Sequence, residues 1–507
     1  MRRSRSFALM LFLTSLASTS ALAVNAPVFE GSTPETPSLQ IELQVPRGCP
    51  VPSQPRHVFY IDAIKGKDTN DGSFAHPWQS LSKVLKTGVN DEQYLAPYLN
   101  KAGALANEGK TIEINPKSAV HSGDEILLMS GEYGAVVVQG VNSEFITVKA
   151  FPGQTPVLSS LAVHGSSKWV FQDLKIQSLS PVLYSKLVTI QTSGFQGPVD
   201  SIILDHDQIS SIDDSSKWVV ADWVVKANGG IFLDGQSLGH CLTISNSLIK
   251  NVKTPIAVMS DDTLITHNTL DNFADDGLDY AANNLVITDN YVTNSHNLGD
   301  GMHLDCMQGQ IGRGVGGVTV YNDILIDSNI CQRVSDPNLA FPGNMQGIDA
   351  FDMDWSNLTV TNNIILTNDY QGLSFASVHG GLIANNSVFN DGGGAKETWI
   401  LVGDKTHEGR ISDHVTIRNN LSQNLIISAT EPTIVAENNV ADAIDLYANG
   451  KVNYYKKPGI YEGNQLVTDL EENFVTFNTE NQIYDLHLKA NNTLPKDLGA
   501  LGAYHQE

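Results

Sequence analysis

Asp275-Asp276-Gly277-Leu278-Asp279-Tyr280 is the stretch that decides the fold, because its pattern returns down the chain. Gly277-Leu278-Asp279-Tyr280, Gly301-Met302-His303-Leu304-Asp305, Gly347-Ile348-Asp349-Ala350-Phe351 and Gly372-Leu373-Ser374-Phe375 align as one short strand repeated. Strand side chains alternate faces with period 2, so Leu278, Met302, Ile348 and Leu373 are expected on one apolar face with Tyr280, Leu304, Ala350 and Phe375. The opposite column then reads Asp279, His303, Asp349 and Ser374, with Asp305 and Phe351 one step farther out. Stacked in parallel at about 4.8 Å, Asp279 and Asp349 would flank His303.

A second signature runs through the same region: an apolar residue followed three later by asparagine. It occurs in Ile265-Thr266-His267-Asn268, Ile287-Thr288-Asp289-Asn290, Ile326-Asp327-Ser328-Asn329, Val360-Thr361-Asn362-Asn363, Ile383-Ala384-Asn385-Asn386 and Ile417-Arg418-Asn419-Asn420. These asparagines lie 22, 39, 34, 23 and 34 residues apart, a coil of 22 carrying insertions. An asparagine recurring at one corner is expected to take left-handed backbone geometry and to hydrogen-bond its equivalent one coil away. Period, Gly/Asn turns and β-branched runs together predict an all-β right-handed parallel β-helix, a β-solenoid. A leucine-rich repeat has a similar period, but its L-x-x-L-x-L spacing is missing.

Working outward, residues 1–23 read as a secretory signal: Arg2, Arg3 and Arg5, an apolar core from Phe7 to Leu16, and Ala21-Leu22-Ala23 as cleavage site. Residues 24–56 are proline-rich, which denies a continuous helix or central strand. Residues 57–110 hold a strand, His57 to Ala63, and a short amphipathic helix, Gln79 to Leu85, expected to shield the open end of the solenoid. The β-helix and its C-terminal cap would occupy 111–507. Its longest insertions, Gln308 to Asn322, Ser335 to Met345 and Asp391 to Arg410, follow the repeated strands and would wall a cleft over the Asp279/His303/Asp349 column.

The formal charge of −24 argues against nucleic-acid or anionic-membrane partners, both of which need a basic surface. The apolar start is too short to span a bilayer and no later stretch is long enough. An exported monomer, periplasmic or extracellular, is therefore expected. The four cysteines, Cys49, Cys241, Cys306 and Cys331, allow three pairings or free buried thiols, and their spacing suggests no zinc site.

The site chemistry expected from the residues is acid–base. Crowded carboxylates push one pKa up, and an imidazole between carboxylates stays charged to higher pH, so Asp279, His303, Asp305 and Asp349 are the catalytic candidates. Asp275, Asp276 and Asp300, in the turns before the strands, are the candidates for holding calcium, which takes six to eight oxygens; ordinary turn roles compete with that reading. Arg313 and Arg333 are placed to neutralise a substrate carboxylate, and Phe351 and Trp355, with Asp352 beside them, to contact a sugar. The plain alternative for the whole column is the solvated polar face that every solenoid has.

Gly277-Leu278-Asp279-Tyr280-Ala281, Asn284-Leu285-Val286-Ile287 and Asp300-Gly301-Met302-His303-Leu304-Asp305 resemble the catalytic coils of mannuronan C5-epimerases, with Asp279 on the aspartate of the Y-G-F-D-P-H motif and Asp305 on the next-coil aspartate. Ala281 stands at the motif's histidine and no tyrosine precedes Gly277, so His303 would have to supply the imidazole. The stretch is also similar to polygalacturonases, without their G-H-G and R-I-K elements. The opening Tyr60–Trp78 and the closing Tyr484–Lys489 and Asp497–Tyr504 segments resemble the ends of secreted β-helix carbohydrate enzymes. The resemblance implies an enzyme acting on an acidic polysaccharide such as alginate or pectin. Abstraction of a uronate C5 proton, as lyase or epimerase, leads; a glycoside hydrolase using paired aspartates and a non-catalytic carbohydrate-binding solenoid are the alternatives.

Overall fold

A computed structural model describes residues 49–500 except 88, 90–91, 179–184, 236–237, 311–319, 352, 394–396, 430, 449–450, 453–462, 468, 493 and 495–497. The signal segment, Arg313, Asp352 and most of Asp497–Tyr504 thus lie outside the described residues. From Glu125 onward the chain winds as a parallel β-helix in which each strand pairs with one a coil later. Leu278–Tyr280 pairs with Leu304–Gly309, Leu285–Thr288 with Val320–Asp327, and Tyr291–Ser295 with Ile330–Gln332, all parallel. Repeating this rule gives three long parallel sheets around one core, as the sequence period demands.

Inside, identical positions stack: Leu278, Met307, Ile348, Leu373 and Ile400 on one wall and Leu285, Ile324, Leu358 and Val415 on another are all buried. At the corner leading into the third sheet stands an asparagine ladder. Asn268, Asn290, Asn329, Asn363, Asn386, Asn420 and Asn439 each pass an Nδ2–H to the Oδ1 of the next, ending on Asn464, at 2.8–3.1 Å. Each of the seven up to Asn439 also donates its backbone N–H to that same oxygen. The ladder asparagines are not left-handed, contrary to expectation. That geometry belongs to the residue before each of them, His267, Asp289, Ser328, Asn362, Asn385, Asn419 and Asn438, with φ of 55–57°. The preceding residue turns the chain, and the turn aims the asparagine inward.

The N-terminal strand Val58–Ile61 pairs in parallel with Glu125–Leu128. The capping helix spans Leu81–Thr87 and buries Leu81, Val84 and Leu85 in the main core. At the other end, the antiparallel pair Phe474–Asn478 and Ile483–Leu488 lays Phe474 and Leu488 against Ile364, Leu366, Phe389, Leu421 and Val440. This hairpin covers the outer side of the third sheet, which explains why strands such as Ile364–Thr367 are apolar on both faces. All four cysteines are paired, Cys49 with Cys241 and Cys306 with Cys331.

Candidate active site: a carboxylate cluster on one sheet

The first sheet runs through Ile256–Val258, Leu278–Tyr280, Leu304–Gly309, Met345–Ala350, Gln371–Ala376 and Trp399–Gly403. Its outward column is Ala257, Asp279, Gln308, Asp349, Ser374 and Leu401. Asp279 and Asp349 fall where the sequence places them, but Gln308 and not His303 lies between them. Met302 is 65% exposed, and Met307 takes its expected inward place. The reason is local: Asn297 to His303 form turns, not a strand. Asn297 Oδ1 accepts the Gly299 N–H at 2.7 Å, Asp300 Oδ1 accepts the Met302 N–H at 3.2 Å, and Gly299 and Gly301 sit at φ of 74° and 82°. Cys306 is the residue next to Gly277 in the stack, and a Cβ on Gly277 would lie 2.6 Å from its carbonyl oxygen, so only glycine fits. Asp300 Oδ1 thereby serves a turn.

One step before this column the acidic groups converge. Gly277 N–H donates to the Asp305 carbonyl at 2.8 Å, and Asp305 N–H to Asp276 Oδ1 at 2.8 Å. Asp305 is fully buried. Its Oδ2 meets His303 Nδ1 at 2.7 Å, while its Oδ1 has no hydrogen-bond partner. One ligand atom each from Asp276, His303 and Asp305 lie within 4.8 Å of one another. Gln310 leans across: its Nε2 donates to Gln308 Oε1 at 2.7 Å, to Asp279 Oδ1 at 2.9 Å and to Asp276 Oδ2 at 3.5 Å. Asp275 Oδ2 accepts the Thr254 hydroxyl at 3.3 Å on the neighbouring coil.

Electrostatics follow from that crowding. Burial, then the charge of Asp275, pushes Asp279 up to about 7, against a hydrogen bond with Asp276 that lowers it. Burial, then the charges of Asp279, Asp305 and Asp275, drives Asp276 well above the carboxylate range. Burial also raises Asp305, opposed by His303 and reinforced by Asp369. Among the described residues, His303 is the one basic side chain within ion-pair distance of Asp275, Asp276, Asp279 or Asp305. The set fits a cation that prefers oxygen: carboxylates converge, and a buried carboxylate oxygen lacks a donor.

Two of the expected substrate contacts are structural. Trp355 is fully buried, its ring centroid 5.5 Å from that of Tyr280 and 5.4 Å from that of Tyr321, filling space that Gly309 leaves open. Arg333 is buried too, its Nε on Asp391 Oδ2 at 2.6 Å and an Nη on the Gly343 carbonyl at 3.3 Å, tying two insertions together. Phe351 is half-buried at the sheet's edge; Lys405 Nζ stands 5.8 Å from its ring, and Arg410, paired with Asp354, reaches its carbonyl. Gln308, Gln310 and Asp369 were not legible from the motif, since their role depends on the strand starting at Leu304. The buried pair Cys306-Met307 is the signal that sets that register.

No curated protein matches the chain. Among solved structures it is similar to pectate lyase Pel9A, at 13% identity over 90% of this chain and 97% of that one, with a TM-score of 0.40. It is also similar to the Azotobacter vinelandii mannuronan C-5 epimerase AlgE4 A-module, at 14% identity over 68% and 91%, TM-score 0.40. A mannuronic acid specific polysaccharide family 6 lyase from human gut microbiota matches at 12% identity over 69% and 86%, TM-score 0.36. Residues 229–421, which carry the whole cluster, match the family described as the right handed beta helix region, and the chain is a right-handed parallel β-helix protein.

Proposed function

We propose that the protein is an exported polysaccharide-active enzyme that abstracts the C5 proton of a uronate residue, as a lyase or an epimerase. The observation that carries this reading is the unpartnered, buried Asp305 Oδ1 in a group of four carboxylates with one imidazole. Ionised together, four such groups repel one another; protons taken up by Asp276 and Asp279 relieve this in part, and a cation would relieve it while keeping them ionised. Asp276 and Asp305, with Asp275 and Asp279 beside them, would hold a divalent cation, with calcium the expected ion. When bound, that cation neutralises the substrate carboxylate and so acidifies the C5 hydrogen.

The chain's own groups do the rest. Asp305 Oδ2 fixes the His303 ring through Nδ1, so the imidazole is oriented to take the C5 proton at Nε2. Breaking C5–H leaves an electron pair that either expels the C4 glycosidic oxygen, which takes a proton from the His303 imidazolium or water and leaves as a hydroxyl while a C4–C5 double bond forms, or takes a proton from water on the opposite face. Gln310 holds Asp279 and Asp276 in place from above. Two disulfides in one chain support an oxidising compartment, and no described helix is long and apolar enough to cross a membrane.

A second reading is favoured by one observation. Asp279 and Asp349 are two strands apart, roughly 10 Å at the backbone, near the separation an inverting glycoside hydrolase uses. Product analysis separates the two. Incubating the protein with polymannuronate and polygalacturonate in calcium is expected to give unsaturated ends or a changed epimer ratio. Reducing ends without either product would sink proton abstraction in favour of hydrolysis, and binding without turnover would leave a carbohydrate-binding solenoid.

A further inference from the structure

Downstream of the carboxylates on the same face lies an aromatic pair with no role in the core. Leu373, Phe375, Ile400 and Val402 point inward and are fully buried, so Ser374 and Trp399 point outward by alternation. Yet Ser374 is itself fully covered. The Trp399 indole reaches it, its Nε1–H donating to Ser374 Oγ at 3.0 Å. That bond ties the indole to the sheet, and the Tyr370 ring stands beside it, centroids 4.5 Å apart at 49°. Both rings are half-buried. The backbone holds them together as well, through the Trp399 N–H on the Tyr370 carbonyl at 2.8 Å.

Position gives the pair a meaning. Gln371 pairs with Trp399, and the ladder shifts register between Gln371 and Leu373, a bulge of the kind that re-aims side chains beside sites. Asp369, adjacent to Tyr370, is close enough for its charge to act on Asp305. Trp399 stands three strands beyond Asp305, roughly 14 Å along the helix axis. That is farther than one sugar ring reaches and within reach of a chain.

We propose that Trp399 and Tyr370 form a sugar-stacking subsite, and that the polysaccharide lies along the helix axis, crossing the strands from the carboxylate cluster to this pair. The apolar C–H face of a pyranose ring packs on a flat aromatic surface, and the bond to Ser374 anchors the indole. This rests on the polysaccharide reading above and extends it: the site binds several consecutive units, and affinity grows with chain length.

The test compares wild type, Trp399→Ala, Trp399→Phe and Tyr370→Ala. Each is titrated with mannuronate and galacturonate oligomers of increasing length by calorimetry and, where the indole remains, by fluorescence. Expected are a loss of affinity of about tenfold or more in Trp399→Ala for long oligomers and little change for the shortest, with Trp399→Phe, which keeps an aromatic face and loses the bond to Ser374, between the two. Fluorescence of the wild type should respond to long oligomers only. If wild type binds the oligomers and neither Trp399→Ala nor Tyr370→Ala alters the length dependence, the subsite is wrong and the acid–base reading survives. If wild type binds none of them, both fall together. Should Trp399→Ala fail to fold, Tyr370→Ala decides: a loss of affinity for long oligomers alone supports the subsite, and an unchanged length dependence overturns it.

Discussion

Two stacks of polar side chains run through this solenoid, and they obey opposite rules. In the asparagine ladder every amide from Asn268 to Asn439 gives to its successor and to a backbone carbonyl such as Ile244 or Ile265, so the buried polar groups close on themselves. In the outward cluster Asp276 and Asp279 can bond each other only by sharing a proton, Asp275 and Asp305 add their charges, and an oxygen of Asp305 is left over. An amide carries both donor and acceptor and can therefore tile a stack; a carboxylate cannot. Repetition of one residue type makes structure in the first case and, on the proposed reading, room for a cation in the second.

The largest effect expected from breaking this contrast is in the cluster. Asp305→Asn should lower turnover by about 10³ or more, about 4 kcal/mol, while the melting temperature without divalent ions stays level or rises, since a repelling charge is gone. Kinetics alongside calorimetric melting would check it, and a large loss of stability would place Asp305 with the ladder instead. In the ladder the opposite holds. Asn329→Ala takes the acceptor from the Asn290 backbone N–H, one of the acceptors from the Asn290 amide and the Asn329 donor from the Ile287 carbonyl, and should cost about 3 kcal/mol of stability, read by denaturant unfolding, with kcat unchanged in the protein that remains folded.

His303→Ala should lower turnover by about 10², roughly 2.7 kcal/mol, with little change in melting, because the side chain is half exposed and leaves no core cavity. Normal turnover in that variant would remove His303 as the base.

The smallest effect sharpens the comparison where the two rules meet. Upstream of Asn268 the ladder continues through Ser247 to Asp207, a buried carboxyl whose Oδ1 accepts the Leu174 N–H and whose Oδ2 has no partner. That oxygen stands where an asparagine would place its donating Nδ2, and burial holds the acid well above its usual range. A raised folded pKa means the native state binds the proton more tightly than the unfolded chain. Stability from this group is thus complete below about pH 4 and is lost as pH rises toward the folded pKa. Asp207→Asn should stabilise the protein by about 1 kcal/mol at neutral pH and hardly at all near pH 4, as melting curves across pH would reveal.

How much of this was legible in the sequence follows from the same contrast. The ladder could be read because Asn268 through Asn420 follow an apolar residue at fixed spacing, and the coil count came with it. Its continuation through Asn439, Asn464, Ser247 and Asp207 was hidden where residue type or spacing changed. The cluster was half legible: Asp276, Asp279 and Asp305 stood out, but alignment on Gly301 moved His303 into a column that Gln308 occupies. Glycine in the Asn297–His303 segment serves turns, whereas Gly277 serves close approach to Cys306, and the letter alone does not distinguish these uses. Arg333 and Trp355 read as surface groups because nothing local reveals that Asp391 or Tyr280 will meet them.

Calcium titration of the metal-free protein by calorimetry, with Asp305→Asn in parallel, tests the central claim most directly. Wild type should bind calcium at a site that Asp305→Asn loses, with binding weakening as pH falls below about 7 and protons compete for the cluster. Absence of binding in wild type, or equal binding in both proteins, would contradict the claim that these carboxylates are gathered to hold a cation.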